Sequence, residues 1–195
     1  MRDGEQNVVT DADARDASGA SVQVVLLGAA GFGLLLMMLR LLPAPVAVTL
    51  TAGGFAALLL GATDIHTHRL PNWATGGLAL IGLAAAVVLQ LSGQVSSIWP
   101  AVAGGAGFAV IGLLEALPAG SIGGGDAKLL GALGVWSGLL EWPGLLPTVL
   151  VSHLVMIGVL LVGRARTRNG ARMVLGPAVA VGAIAGWILT AAVVL

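Results

Sequence analysis

The sequence predicts an all-α protein, a polytopic membrane helix bundle of six to seven transmembrane helices. Three observations lead there. Of 195 residues, 57% are hydrophobic and only 9% are charged, whereas a soluble domain carries about 25% charged residues. The apolar residues form runs near the roughly 20 residues a spanning helix needs. The few basic residues are distributed very unevenly about those runs.

Residues 1–20 hold five of the nine acids (Asp3, Glu5, Asp11, Asp13 and Asp16) against Arg2 and Arg15. Such a stretch cannot bury enough apolar surface to fold, so a disordered acidic tail is expected, followed by one transmembrane domain over 21–195. The tail lacks the basic start of a secretory signal, so the first apolar run is expected to remain a membrane helix. Seven segments follow: 22–42, 46–62, 73–91, 98–117, 127–141, 145–163 and 173–195. They are separated by Pro43-Ala44-Pro45, the polar Asp64–Asn72 stretch, Ser92-Gly93-Gln94, Pro118-Ala119-Gly120-Ser121, Glu141-Trp142-Pro143-Gly144 and Arg164–Arg172. Proline and glycine start and stop helices at such junctions. The fifth segment is short and is expected to stand nearly upright or to enter only part of the bilayer.

With seven spans, the tail and the loops 63–72, 118–126 and 164–172 share one side. That side, with the adjoining helix ends, holds Arg2, Arg15, Arg69, Lys128, Arg164, Arg166, Arg168 and Arg172; the other holds Arg40. This imbalance predicts a cytoplasmic location for the richer side, in an inner membrane. The small-residue pairs Gly134/Gly138 and Gly182/Gly186 are expected to let helices of the bundle approach closely. Trp73, Trp99 and Trp142 fall where interfacial anchors would. The absence of cysteine excludes disulfides, thiolate nucleophiles and cysteine-ligated metal. No metal, no cofactor and no nucleic-acid partner is expected; the lipid bilayer is the expected surround.

Against this background two aspartates stand out. Asp126 follows Gly123-Gly124-Gly125 at the start of an apolar helix, and Asp64 opens the polar stretch between the second and third segments. Ionisable groups at membrane depth are costly and usually mark function. Taken singly, Asp126 fits a helix N-cap and Asp64 a turn residue. Their shared side and the scarcity of other acids in the apolar body favour a pair. Two carboxylates in one site do not both ionise easily. One could take a proton from water while the other hydrogen-bonds a scissile carbonyl.

The residues around them resemble the type IV prepilin leader peptidases, a family of membrane aspartyl proteases. The resemblance rests on Asp64-Ile65-His66-Thr67-His68-Arg69-Leu70-Pro71-Asn72, on Gly123-Gly124-Gly125-Asp126-Ala127-Lys128-Leu129, and on Gly176-Pro177-Ala178-Val179-Ala180-Val181-Gly182. It covers about residues 45–190, with the motifs in family order. It implies that Asp64 and Asp126 are the catalytic pair, supported by Leu70, Pro71, Asn72, Gly123, Gly125, Lys128, Gly176 and Pro177. The implied substrate is a pilin-like or pseudopilin precursor, whose short basic leader is cut at the cytoplasmic membrane face. Larger family members carry a cysteine-bearing domain associated with N-methylation. With no cysteine and no room for that domain after the first helix, this chain is expected to belong to a short, peptidase-only branch.

Other polar residues carry smaller expectations. Lys128 could favour the anionic form of the pair, hold substrate, or extend to the interface. Glu115, near in depth to the aspartates, is a minor candidate for a third acidic role. His66, His68 and Arg69 read as a solvated loop, His153 as an interhelical hydrogen-bonding residue, and the Arg164–Arg172 cluster as a topology determinant. Two rivals remain: a presenilin-like protease cutting within a membrane span, and a transporter or assembly factor whose aspartates bind protons or cations. The Leu70-Pro71-Asn72 element argues against the first. A proteolysis assay separates the second.

Overall fold

The computed structural model describes residues 33–34, 36–67, 70–117, 124–166 and 175–193, without the side chains of 65–67 and 162–166. The expected acidic tail, most of the first segment, Gly123, His68, Arg69 and the loops 118–123 and 167–174 lie outside the described residues, as do the side chains of His66 and Arg164. Among the described residues all regular structure is helical. Residues 36–41 belong to α1. Then come α2 (Ala44–Thr67), α3 (Asn72–Leu91), α4 (Trp99–Ala116), α5 (Gly124–Ser137), a 3-10 turn (Gly138–Leu140), α6 (Glu141–Arg166) and α7 (Gly176–Val193). Among the described residues, α2 to α7 correspond to the second to seventh segments, and α1 falls in the described part of the first.

Among the described residues, five stretches are long and apolar enough to cross a membrane: Ala44–Asp64, Asn72–Leu91, Trp99–Ala116, Gly124–Leu161 and Gly176–Val193. The fourth contains both α5 and α6, joined by the 3-10 turn. The chain is a multi-pass membrane protein.

Several boundaries differ from the sequence reading for identifiable reasons. Hydropathy falls after residue 62, but α2 continues to Thr67, so Asp64 lies in its last turn rather than beyond it. A drop in hydropathy does not interrupt the backbone hydrogen-bond ladder, and the next proline is Pro71. Helix α5 begins at Gly124, three residues early, with Asp126 in its first turn. Pro143 does not break a helix: it sits in the first turn of α6, where its missing N–H would have had no intrahelical partner. The reversal instead falls at Glu141, whose φ of 59° and ψ of −162° lie in a region nearly confined to glycine.

Helix α5 is the centre of the bundle. From Asp126 to Leu140 every residue except Lys128 is buried. Its most extensive neighbour is α4, and α6 packs chiefly on α7. Small residues permit both contacts. A methyl group on Gly112 would lie 2.7 Å from the Ala127 Cα, and one on Gly182 would lie 2.5 Å from the Ser152 Cα. Trp136 fixes α5 to two further helices. Its ring lies against Gly53 of α2 and Gly82 of α3, and its Nε1–H donates to the Leu78 carbonyl at 3.0 Å. Trp187 of α7, fully buried, donates to Ser137 Oγ at 2.9 Å. Each indole thus fills space left by helix packing and satisfies its one donor.

The helix ends gather at two poles. At one, Leu70 before α3 rests on Gly125 of α5, and Gly61 of α2 rests on Pro177 of α7. At the other, Glu141 accepts the Ser96 N–H at 2.7 Å, and Gln90 Oε1 accepts the Ile98 N–H at 3.0 Å, covering donors exposed at the start of α4.

Candidate functional site

Three helix termini build a site at the first pole. Helix α2 contributes Asp64 from its last turn, α5 contributes Asp126 from its first, and α7 begins beside both at Gly176. Asp64 and Asp126 are each only 7% exposed. A methyl group placed on Gly176 would lie 2.9 Å from Asp64 Oδ2 and 3.5 Å from Asp126 Oδ1. The two carboxylate oxygens therefore face a common point and are no farther apart than the sum of those distances. Residues 62 positions apart in sequence are brought together.

Local chain geometry accounts for each placement. Thr63 Oγ1 donates to the Leu60 carbonyl at 2.7 Å, a local bond compatible with continued helix, so the last turn of α2 carries Asp64 inward. Pro71, at φ −63° and ψ 132°, holds the chain extended just before α3. This turns buried Leu70 onto Gly125, where a methyl group would lie 3.1 Å from the Leu70 Cβ. One of the motif glycines thus makes room for the Leu-Pro-Asn element beside Asp126. Asn72 completes the junction by accepting a 2.6 Å hydrogen bond at Oδ1 from Lys128 Nζ. This contact of Lys128 with Asn72 was not among the roles drawn for it from the sequence.

The site lies inside the bundle rather than at its tip. Gly112 packs on Ala127, and α4 continues four residues beyond Gly112 to Ala116. At 1.5 Å per residue, this places Ala127 about 6 Å short of the end of α4, and Asp126 one residue nearer to it. The first-turn N–H groups of α5 and α7 surround the carboxylates with partial positive charge, whereas the last turn of α2 contributes partial negative charge at Asp64.

Of the remaining candidates, Glu115 is paired with His153 of α6 at 2.7 Å. The sequence reading anticipated interhelical bonding for His153 but did not identify its partner. Nor did it single out Trp136, whose sequence signal is an indole in the last turn of α5, a helix that apart from Asp126 and Lys128 is otherwise made of small and aliphatic residues. Among the described residues, no three His, Asp or Glu side chains gather in a metal-binding group.

The chain is similar in sequence to known proteins. Residues 51–162 match the model of the type IV leader peptidase family. A prepilin leader peptidase/N-methyltransferase from Pectobacterium carotovorum subsp. carotovorum is 36% identical over 140 residues. The match covers 68% of this chain and 48% of that protein, so the chain aligns with about half of the relative's length. No solved structure gives a significant match. The family match takes in the greater part of α2 through most of α6, with both aspartates, and the chain belongs to the type IV leader peptidase family.

Proposed function

We propose that the protein is a membrane aspartyl endopeptidase that removes the leader peptide of type IV prepilin-like or pseudopilin precursors. Asp64 and Asp126 are its acid–base pair, facing the cytoplasm. The observation that carries this reading is the common focus of the two carboxylates at Gly176. Family membership supports it, as does the name of the Pectobacterium relative.

In this reading one carboxylate removes a proton from water, and the resulting hydroxide equivalent attacks the scissile carbonyl carbon. The other carboxyl donates a hydrogen bond, then a proton, to the carbonyl oxygen. Collapse of the tetrahedral species breaks the C–N bond, with a proton delivered to the departing amine. Hydrolysis of one peptide bond consumes one water and returns the pair to its starting protonation. Burial strengthens each of these interactions relative to bulk water.

The test is cleavage of a pilin-type precursor by purified protein carrying Asp64→Asn or Asp126→Asn. Each is expected to lower turnover by at least about 10²–10⁴-fold, the contribution of a positioned acid or base. Chelators and serine- or thiol-directed reagents are expected to leave the wild type unchanged. Normal processing by either variant, in a background free of other leader peptidases, refutes the assignment. A carrier with proton-binding aspartates would leave the precursor intact even as wild type.

A further inference from the structure

Helix α7 places its glycines against different kinds of neighbour. Methyl groups on Gly182 and Gly186 would meet the α6 backbone at Ser152 and Thr148, as expected where helices approach through small residues. At Gly176 the nearest atoms are instead Asp64 Oδ2 at 2.9 Å, Asp64 Cβ at 3.4 Å and Asp126 Oδ1 at 3.5 Å. Neither backbone strain nor the backbone of a neighbouring helix demands a glycine here, since Gly176 does not have a positive φ. What the missing side chain leaves open is the space towards which the two carboxylates point.

We propose that Gly176 is a positioning residue for the hydrolytic reaction, its hydrogen side chain keeping clear the gap between Asp64 and Asp126 where water and the scissile carbonyl meet. This rests on the reading of the two aspartates as the acid–base pair. The surroundings make the gap sensitive to one methyl group. Leu175, before Gly176, is 1% exposed. Pro177, after it, lies against α2, where a methyl group on Gly61 would be 2.9 Å from the Pro177 Cα. With both neighbours packed, α7 cannot readily retreat. An added methyl must displace the carboxylates or occupy the volume of the reacting groups. The same crowding does not reach Lys128 and Asn72, which are exposed and free to meet a precursor as before.

The expected consequence of Gly176→Ala is a loss in kcat with little change in KM. Displacing reacting groups by an ångström can cost about 100-fold in rate, and a fall of that order is expected for a pilin-type precursor, with KM within about twofold. Asp64→Asn and Asp126→Asn are assayed in parallel. If both are inactive while Gly176→Ala retains wild-type kcat, the inference about Gly176 fails and the assignment of the pair stands. If the aspartate variants are themselves active, both readings fail. A rise in KM matching the fall in kcat would make Gly176 an ordinary packing residue and overturn the proposal. Should Gly176→Ala not accumulate in the membrane, the stability cycle with Asp64→Ala decides. The double variant is expected to be as stable as Asp64→Ala alone, because the methyl then enters the space vacated by the carboxylate. A double variant that fails like Gly176→Ala would show that glycine serves the backbone only, and would overturn the proposal.

Discussion

Lys128 and Asn72 are joined by a 2.6 Å hydrogen bond from Nζ to Oδ1, which fastens the first residue of α3 to the second turn of α5. The two partners come from separate sequence motifs, and both are exposed. An exposed bond of this kind adds little to global stability because water competes for both groups. Its effect is local. It holds the Leu70-Pro71-Asn72 turn against Gly125, one residue from Asp126.

The first prediction follows from that locality. Lys128→Met and Asn72→Leu are each expected to reduce kcat/KM for precursor cleavage, and the double variant to be no worse than the more impaired single one. Thermal stability in detergent should change by less than about 1 kcal/mol in either. Independent, multiplicative losses in the double-mutant cycle would mean that the two residues act separately.

A second prediction concerns Trp136, which occupies the space between α2 and α3 left by Gly53 and Gly82. Trp136→Phe keeps most of the ring but leaves the Leu78 carbonyl without the indole donor. It is expected to cost about 1 kcal/mol. Trp136→Ala removes the ring and should cost about 3–5 kcal/mol. Gly82→Ala would place a methyl 2.8 Å from the indole nitrogen and should also destabilise. Unfolding in detergent measures all three. Equal stability of Trp136→Ala and wild type would show that α5 is not held by this ring.

How much of this was legible beforehand depended on the kind of signal. Hydropathy located the seven segments because burial in lipid is a property of composition, readable one residue at a time. It misplaced the end of α2, because helix termination depends on backbone hydrogen bonds and proline rather than on apolarity. The aspartates were legible because a carboxylate is rare in an apolar body. The resemblance marked Gly176 as a supporting residue but not the focus of both carboxylates on it, because glycine has no side chain whose chemistry shows what it faces, and only the approach of α7 to α2 and α5 reveals its neighbours. For the same reason His153 could be read as an interhelical bonding residue while Glu115, 38 positions away, could not be named as its partner.

A third prediction addresses topology. Helix α3 begins at Asn72, beside the aspartates, and its 20 residues span about 30 Å, enough to cross the hydrocarbon core. The native chain has no cysteine, so single substitutions report without background. Asn72→Cys is expected to react with an impermeant thiol reagent only from the cytoplasmic side, and Gln94→Cys only from the opposite side. The reverse pattern would contradict the orientation drawn from the basic residues.

The last prediction concerns Glu115 and His153, which connect α4 to α6. His153 Nδ1 lies 2.6 Å from the Val149 carbonyl oxygen. A carbonyl can only accept, so Nδ1 carries a hydrogen. The contact between Nε2 and Glu115 Oε1, at 2.7 Å, then needs a second hydrogen, held by the imidazole or by the carboxyl. The first arrangement is an imidazolium facing a carboxylate, the second a neutral ring facing a neutral acid. Both leave the pair without net charge, which is what a site between membrane helices requires if the large cost of an unpaired buried ion is to be avoided. A glutamine could donate its amide N–H to Nε2 and bridge the same helices without any ionisable proton. Glu115→Gln is therefore expected to stay within about 1 kcal/mol of wild-type stability and to keep cleaving precursor. His153→Phe removes the ring nitrogen that meets Oε1 and is expected to cost about 1–3 kcal/mol. Thermal unfolding of the two variants distinguishes the cases. If Glu115→Gln proves as unstable as His153→Phe, an amide cannot replace the carboxyl group and the bridge is not a simple hydrogen bond between the helices.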